Sequence, residues 1–483
     1  MKKLNYLFLS PVLILTLASC GETPKDNTKG YTPDTDPEYY SKVEERNSFD
    51  QSSDLNIDES FTNGISDDKF YSIDGVWDAG STQPHNGVRS RNLFYTTDEN
   101  NNKLLAIKGR GRYNEEDSAT KNKPEGAVLI TKDHLRPGRF EITMASFPRF
   151  GGCSAFWTYC TTTGNEATSQ NEIDIEIGGG GQFTNEWCTT WTTHTTKETK
   201  NMSLEDQLHF NDGKMHKYTF DWYTDYEGTG EKRIDWFVDG TFVTSITGAA
   251  VPEHEMPLWI GLWLPSWAGD SLFDTDYMLI KNISYTAFDD NQFCESCRSY
   301  TSYTKTVPSQ LNIQTIDYST IKNINKLSNS DFKKTTEYAE NNYYGWQIDT
   351  TSSKGSLSFN ETGSISSSKA IELTASSDTS SKYHGEYVYQ NLGGAYEGYQ
   401  YQLSIDAKLK DSSSKGNIEI YYKDGGNITL KKESIKIETT NFVTYNKYIT
   451  MPKNAVNLRI DLTSEDGTVS YSNASLVFKG TAN

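Results

Sequence analysis

The sequence predicts an all-β protein, in which one β-sandwich is followed by a second, smaller β-sandwich. Short alternating runs such as KLLAIKG, GRFEITMASF and MHKYTFDWY are separated by Gly, Asn, Asp and Pro, a pattern typical of strands joined by turns. No long segment has a helical 3.6-residue period. The composition changes after about residue 290, and a chain of 483 residues is long enough for two or three domains.

The N-terminus predicts export. Residues 1–20, MKKLNYLFLSPVLILTLASC, combine two lysines, an apolar run and small residues, as secretory signal peptides do. The apolar run is too short for a transmembrane helix. The ending LASC resembles a bacterial lipobox, which implies that Cys20 is lipidated and that the exported protein is anchored at the outer membrane or cell surface of a bacterium. An ordinary cleaved signal with a chance cysteine is the alternative.

Residues 21–55 are polar, rich in Pro, Asp, Thr and Lys, and lack periodicity. They predict a disordered tether between the anchor and the folded part. The net charge of -19 argues against nucleic acid and against a basic membrane-surface protein. We expect that the protein contacts the membrane through its lipid anchor only, and that it is a monomer.

The first β domain is predicted over residues 56–290. In KRIDWFVDG, Ile234 and Trp236 share one face, and Asp239-Gly240 predicts a tight hairpin. Trp222 and Trp236 lie on strongly alternating strands and are expected in the core. Residues 291–325 are rich in Ser, Thr and Asn and are interpreted as a linker, which leaves 326–483 for the second β domain.

Five cysteines follow Cys20, and an odd number leaves at least one of them unpaired. Cys294 and Cys297 have C-x-x-C spacing, but a zinc site would normally need a second pair or a histidine pair nearby in the sequence. A local disulfide or two buried thiols is the preferred interpretation. No metal and no cofactor is predicted.

Residues 171–179, NEIDIEIGG, place three acids on one face of a strand and three isoleucines on the other. The Cα atoms of Glu172 and Glu176 would be about 13 Å apart, with Asp174 between them. Carboxylates this close raise one another's pKa. A glycosidase uses such a set, because it needs one carboxylate ionised and another protonated at the same pH. A solvated acidic strand face is the alternative.

The segment Glu172-Ile173-Asp174-Ile175-Glu176 resembles the E-x-D-x-E signature of glycoside hydrolase family sixteen. The resemblance covers about residues 60–288, because GRFEITMAS, CSAFWTYC, DGKMHKYTFDW, RIDWFVDG and LWIGLWLPSWAGD are similar to family segments in the same order. It implies a concanavalin-like jelly-roll β-sandwich and a retaining, endo-acting hydrolase of β-linked polysaccharide.

The same resemblance implies a catalytic role for each acid: Glu172 as nucleophile, Glu176 as acid/base, and Asp174 as the assisting residue. One residue separates Asp174 from Glu176, without the extra bulge residue of other members, and this form resembles enzymes active on β-1,3/1,4-glucan or xyloglucan. An algal galactan or a host O-glycan as substrate, a transglycosylase, and a non-catalytic glycan-binding lipoprotein remain alternatives. Family members often hold a structural calcium, but no ligand set identifies one here.

Several aromatic residues are candidates for stacking on sugar rings. Each has core packing as its alternative, and His194 has an ordinary structural role as its own. Gly261 stands where glucanases of the unbulged type often carry Asn. The candidate substrate-binding residues are Trp157, Trp187, Trp191, His194, Trp263 and Trp267.

Residues 326–481 resemble, more loosely, a carbohydrate-binding module of the β-sandwich kind. The resemblance rests on SNSDF, on Gly345-Trp346 and on the ending GTVSYSNASLVF. It implies a sugar platform, with a purely structural β-sandwich as the alternative. The candidates for the platform are Tyr343, Tyr344, Trp346, Tyr387 and Tyr389.

Overall fold

The computed structural model describes residues 48–76, 87–115, 123–178, 186–202, 211–289, 292–297, 303–350, 353–377 and 385–482. The predictions of a signal peptide and a lipidated Cys20, and most of the predicted tether, fall on residues 1–47 and lie outside this range. Among the described residues, no helix has the length and apolar character needed to cross a membrane.

Strands dominate both halves of the chain, as the sequence predicts. Those of the first domain are β1 (Ile57–Glu59), β2 (Phe70–Ile73), β3 (Gly87–Val88), β4 (Leu93–Thr97), β5 (Lys103–Arg110), β6 (Glu125–Thr131), β7 (Gly138–Ala145), β8 (Cys153–Thr161), β9 (Gln170–Gly178), β10 (Glu186–Thr193), β11 (Thr196–Asn201), β12 (His216–Tyr226), β13 (Glu231–Val238), β14 (Thr241–Thr247), β15 (Leu258–Trp263), β16 (Thr275–Ala287), β17 (Lys305–Thr306) and β18 (Gln314–Thr315). The α-helices are α1 (Glu166–Ser169) and α2 (Tyr318–Lys322), and short 3-10 turns cover Ser90–Asn92, Gly248–Ala250, Ser266–Ala268 and Pro308–Gln310.

These strands form two sheets of a jelly-roll sandwich. The site sheet has the order β17-β2-β6-β15-β8-β9-β10-β11. The back sheet has the order β18-β4-β5-β16-β7-β12-β13-β14, and β1 pairs with the end of β16. The face of the site sheet that points away from the back sheet is called the site face below.

The core lies between the two sheets because their strands alternate in polarity. Phe156 of the site sheet meets Phe220 of the back sheet, with ring centroids 5.7 Å apart. Trp222 and Trp236 are fully buried in this core, which confirms the prediction. The tight hairpin is also confirmed: Asp239 and Gly240 have φ values of 51° and 79°, as a two-residue primed turn requires.

The predicted linker, 291–325, is not a free connection in its described part. Cys297 forms a disulfide with Cys160 of β8, β17 pairs with β2, and β18 pairs with β4. The preferred interpretation of the C-x-x-C spacing was therefore wrong: Cys294 is free and Cys297 pairs with a residue 137 positions away. The composition of the segment does not show that it is attached to the first domain, because the attachment consists of two short edge strands and one long-range disulfide.

The second domain is a smaller sandwich, as predicted. Its strands are β19 (Asn342–Tyr343), β20 (Trp346–Ile348), β21 (Ser356–Ser358), β22 (Ala370–Thr374), β23 (Glu386–Gly393), β24 (Tyr399–Leu409), β25 (Asn417–Lys423), β26 (Thr429–Lys436), β27 (Val443–Thr450), β28 (Asn457–Ser464) and β29 (Thr468–Thr481). One sheet has the order β19-β20-β23-β28-β25-β26, and the other has the order β21-β22-β29-β24-β27.

The predicted tyrosine and tryptophan platform of this domain is only partly exposed. Trp346 is fully buried against Phe332, and Tyr344 is buried and donates to Glu115 of the first domain at 2.6 Å. These two side chains therefore stabilise the core and the domain contact, and the platform prediction was wrong for them. Tyr343 is half-buried against Phe359.

Buried charges join the two sandwiches. Lys326 forms an ion pair with Asp276, and Arg149 lies 3.9 Å from the same carboxylate and donates to the Lys326 carbonyl oxygen. Nearby, Lys334 reaches Asp274 at 3.2 Å. The side chains of the central three are at least nine-tenths buried, so the charges are compensated within the interface rather than by water.

Candidate active site

The acidic strand β9 lies near the middle of the site sheet, between β8 and β10. Its register with β8 runs without interruption from Gln170 to Gly178, and its register with β10 is continuous across all three acids. The strand is therefore unbulged, as its spacing predicts. Ile173, Ile175 and Ile177 are fully buried in the core, and the acids consequently point to the site face.

Each acid has defined neighbours across the sheet. Residues that pair directly on adjacent strands share a face, so the β8 and β10 partners of the acids also belong to the site face. Glu172 lies between Tyr159 and Trp191, Asp174 between Trp157 and Thr189, and Glu176 between Ala155 and Trp187.

Asp174 is the most buried of the three acids and is held from two sides. The indole nitrogen of Trp191 donates to its Oδ2 at 3.0 Å. Burial raises the pKa of Asp174 well above its ordinary range, and the charges of Glu172 and Glu176 raise it further. A hydrogen bond with Glu172 also raises the pKa of Asp174.

Glu176 has a different environment. Burial raises the pKa of Glu176 to about 7, against the opposing effect of a hydrogen bond from Cys153. Such a group is protonated in a large fraction of molecules at neutral pH and is still able to ionise. Glu172 also accepts a hydrogen bond from Gln170. The strand therefore places Asp174, whose pKa is raised well above its ordinary range, beside Glu176, whose pKa is about 7.

Three of the tryptophans that the sequence predicts as substrate-binding residues lie together at the Glu176 end of the site face. The ring of Trp187 lies 5.3 Å from that of Trp267, which lies 5.7 Å edge-on from Trp263. All three are half-buried and come from β10, β15 and the 3-10 turn Ser266–Ala268. Partly exposed rings beside a carboxyl group are able to stack on a sugar.

At the Glu172 end, Trp191 is half-buried and His194 is exposed. Their ring centroids are 6.2 Å apart. His194 lies in the turn between β10 and β11 and not on a strand. The ammonium of Lys197 lies 4.2 Å over the Trp191 ring, so one face of that indole is already covered.

Trp157 is 9% exposed and tilts against Trp259, with ring centroids 5.6 Å apart. Both belong to an apolar layer on the site face that continues through β15 and β6 to Tyr71. Trp157 is therefore packed mostly within this apolar layer, and only a small part of it is exposed on the site face. Gly261 belongs to the same layer, and a Cβ there would lie 2.3 Å from the Ala127 carbonyl oxygen. An Asn at this position would require the backbone to shift.

Sequence reasoning missed Cys153, Tyr159 and Trp259. All three share the face of the acids, but on strands whose register was unknown, and only the two-residue period of CSAFWTYC hinted at a common face. Within the described part of the chain, no group of three or more His, Cys, Asp or Glu is arranged to hold a metal ion.

Residues 82–278 match the sequence model of glycosyl hydrolases family 16. No curated protein sequence matches the chain significantly. Among solved structures, the β-glucanase of Bacillus licheniformis aligns with 20% identity and a TM-score of 0.37, over 48% of this chain and 97% of that one. The laminarinase catalytic domain of Thermotoga maritima aligns with 17% identity and a TM-score of 0.38, over 48% and 98%. A family 16 endo-glucanase of Bacteroides ovatus aligns with 12% identity and a TM-score of 0.37, over 47% and 99%.

Proposed function

Since residues 82–278 belong to glycosyl hydrolases family 16 and the chain therefore carries a glycoside hydrolase domain, we propose that it is a retaining, endo-acting β-glycanase. Its preferred substrate is a β-1,3/1,4-glucan. The observation that carries the proposal is the set of three carboxyl groups on the site face of one unbulged strand, with the pKa of Asp174 raised well above its ordinary range and that of Glu176 raised to about 7.

The reaction is a double displacement. Glu176 donates its proton to the glycosidic oxygen while a Glu172 oxygen attacks the anomeric carbon, and the bond to the leaving sugar breaks. Glu176, now ionised, removes a proton from water, which attacks the same carbon and releases Glu172 from the ester. Asp174 lies between the two glutamates and orients Glu172 through the hydrogen bond that joins their side chains.

Two features support a neutral glucan. The unbulged register of β9 is the form that resembles mixed-linkage glucanases and xyloglucan-active enzymes, whereas the bulged form is usual for laminarinases, agarases and carrageenases. In addition, the aromatic group of Trp187, Trp263 and Trp267 offers apolar rings beside Glu176, whereas a sulfated galactan would favour basic side chains. An algal galactan or a host O-glycan is the alternative substrate.

The test is digestion of a polysaccharide panel by the purified protein from residue 48 onward. The panel contains mixed-linkage glucan, laminarin, xyloglucan, agarose, porphyran and mucin O-glycans, and products are identified by mass and linkage. Proton NMR of the first products reports whether the anomeric configuration is kept.

Glu172→Gln and Glu176→Gln are the matched controls, because each removes one ionisable group at constant size. The proposal is supported if the wild type releases oligosaccharides with retained anomeric configuration and neither variant releases them. Transfer products at high acceptor concentration would point to a transglycosylase. Binding to one glycan without cleavage of any would point to a glycan-binding lipoprotein, and full activity of Glu172→Gln would remove that residue from its role.

We further propose that the second sandwich binds the same glycan. Its six-stranded sheet presents Tyr387 and Tyr389 beside Arg459, whose guanidinium lies 3.7 Å over the Tyr389 ring. A face of rings and fixed polar groups is suited to a sugar chain. The test is affinity electrophoresis, in gels that contain the glucan, of Glu176→Gln and of the double variant Glu176→Gln/Tyr387→Ala. Equal retardation of the two proteins by the glucan would contradict the proposal.

Lipid anchoring at Cys20 is likewise a proposal, supported by the LASC ending of the apolar segment. Expression of the full chain with a labelled fatty acid tests it. Label that is lost in Cys20→Ser supports an anchor, and label-free protein contradicts it.

A further inference from the structure

The thiol of Cys153 lies beside the carboxyl group of Glu176. Cys153 begins β8, is fully buried, and shares the site face with Ala155, which pairs with Glu176. Its sulfur is 3.8 Å from Glu176 Oε1. On its other side, Trp263 pairs with Cys153 across the sheet and hydrogen-bonds the sulfur.

The cysteine is a donor rather than a thiolate in this position. Burial raises the pKa of Cys153 well above its ordinary value, and the charge of Glu176 adds to this effect. The S–H proton therefore stays in place at neutral pH. Its alternative acceptor is the carbonyl oxygen of the adjacent Ser154 at 3.9 Å, a neutral group that attracts a proton less than a carboxylate does.

Few other groups compete for Glu176. On β8 to β11, the titratable side chains on the same face are Glu172 and Asp174 of its own strand, Tyr159 at the far end of β8, and Lys197 of β11, which stacks on Trp191. Tyr71 and Lys305 lie farther across the sheet, on β2 and β17. Trp187 faces Glu176 from β10. Among the described residues, the Cys153 thiol is the hydrogen-bond donor that reaches the Glu176 carboxyl group.

We propose that Cys153 is a positioning residue for the acid/base: its thiol holds Glu176 Oε1, so that the second oxygen faces the glycosidic bond. This inference rests on the proposed role of Glu176. The thiol stabilises the ionised carboxylate more than the neutral acid, so it counteracts part of the effect of burial. It gains orientation in turn from Trp263, which links the aromatic end of the site to the proton donor.

The first test is the pH dependence of kcat/KM on soluble mixed-linkage β-glucan. Its alkaline limb reports the general acid of the free enzyme. Loss of the donor in Cys153→Ala raises the Glu176 pKa, so the limb should move up by about half a pH unit, with about a threefold lower plateau. Cys153→Ser keeps a donor and should return the limb to the wild-type position or below it.

Cys188→Ala is the matched control. Cys188 is an equally buried thiol on β10, but it pairs with Ile175 and points into the core. Cys188→Ala should lower the stability of the protein by about as much as Cys153→Ala does, and it should leave the alkaline limb of the pH profile in place. If Cys153→Ala and Cys188→Ala give the same profile as the wild type, the proposal is wrong.

A second readout needs no substrate, and so separates this proposal from the proposed function. The S–H stretching band of Cys153 is obtained as the infrared difference between the wild type and Cys153→Ser. It should shift as Glu176 ionises, because the bond then runs to a charged acceptor, and the shift should vanish in Glu176→Gln. A band that does not change with pH between about 5 and about 9 would overturn the inference even if the enzyme cleaves glucan.

Discussion

Trp191 donates a hydrogen bond to Asp174 across the β9–β10 pair, with 3.0 Å between the indole nitrogen and Oδ2. The same indole supplies its ring to the edge of the site. One side chain is thus able to contribute both to sugar stacking and to the orientation of the central carboxyl group, and the two contributions are separable by substitution.

Trp191→Phe keeps an aromatic ring and removes the N–H. We expect kcat to fall about tenfold, the cost of one hydrogen bond of about 1.4 kcal/mol, with little change in KM. Trp191→Ala should lower kcat similarly and raise KM as well. Steady-state kinetics on mixed-linkage glucan measures both constants, and an unchanged kcat in Trp191→Phe would mean that the hydrogen bond does not orient Asp174.

The pKa of Glu176, about 7, predicts the alkaline side of the activity profile. A general acid must be protonated to react, so kcat/KM should fall as the pH rises through about 7. The profile should be measured with a circular-dichroism control at each pH, so that unfolding is not mistaken for titration. A profile that stays flat for roughly two pH units above neutrality would contradict the assignment.

The Cys160–Cys297 disulfide closes a separation of 137 residues. The variant Cys160→Ala/Cys297→Ala should lose about 2 to 4 kcal/mol of unfolding free energy, because its unfolded chain is less constrained. Tryptophan fluorescence during urea unfolding reports this domain, since nine of the ten tryptophans precede residue 268. Cys294→Ala, which removes a nearby free thiol, should have almost no effect. A reducing agent that leaves the wild-type midpoint unchanged would contradict this prediction.

The buried charges between the sandwiches predict an unequal response to substitution. Asp276 neutralises both Lys326 and Arg149, so Asp276→Asn leaves two buried cations without their counter-ion and should cost about 3 kcal/mol. Lys326→Met leaves Asp276 paired with Arg149 and should cost about 1 kcal/mol. Urea unfolding measures the free energy of unfolding of both variants. A larger loss of this free energy in Lys326→Met than in Asp276→Asn would refute this view of the interface.

The sequence was sufficient where the two-residue period of a strand decides the outcome. The alternating pattern alone predicted that Glu172 and Glu176 share one face, and that Ile175 and Trp236 lie in the core. It was insufficient where strands far apart in the chain meet. The contact of Cys153 with Glu176 depends on the β8–β9 register, and Cys297 finds Cys160 through the folded path of the predicted linker.

The second sandwich shows the same limit. Trp346 and Tyr344 are residue types suited to a sugar platform, but local sequence does not show that Trp346 packs in the core of its own domain or that Tyr344 is covered by the neighbouring one. Tyr344 is occupied by Glu115, which lies more than two hundred residues earlier in the chain.

The segment from Leu264 to Asp274 carries Trp267 near its start and the interface carboxylate Asp274 at its end. The rim of the active site and the seam between the sandwiches are therefore built from one short stretch of chain. In many modular enzymes, accessory domains are interchangeable cassettes on flexible connectors. Here a recombination event that replaced the C-terminal domain would also remove Lys334, which pairs with Asp274, and Lys326, which pairs with Asp276. The two halves of this protein are consequently expected to be inherited together, as a single evolutionary unit.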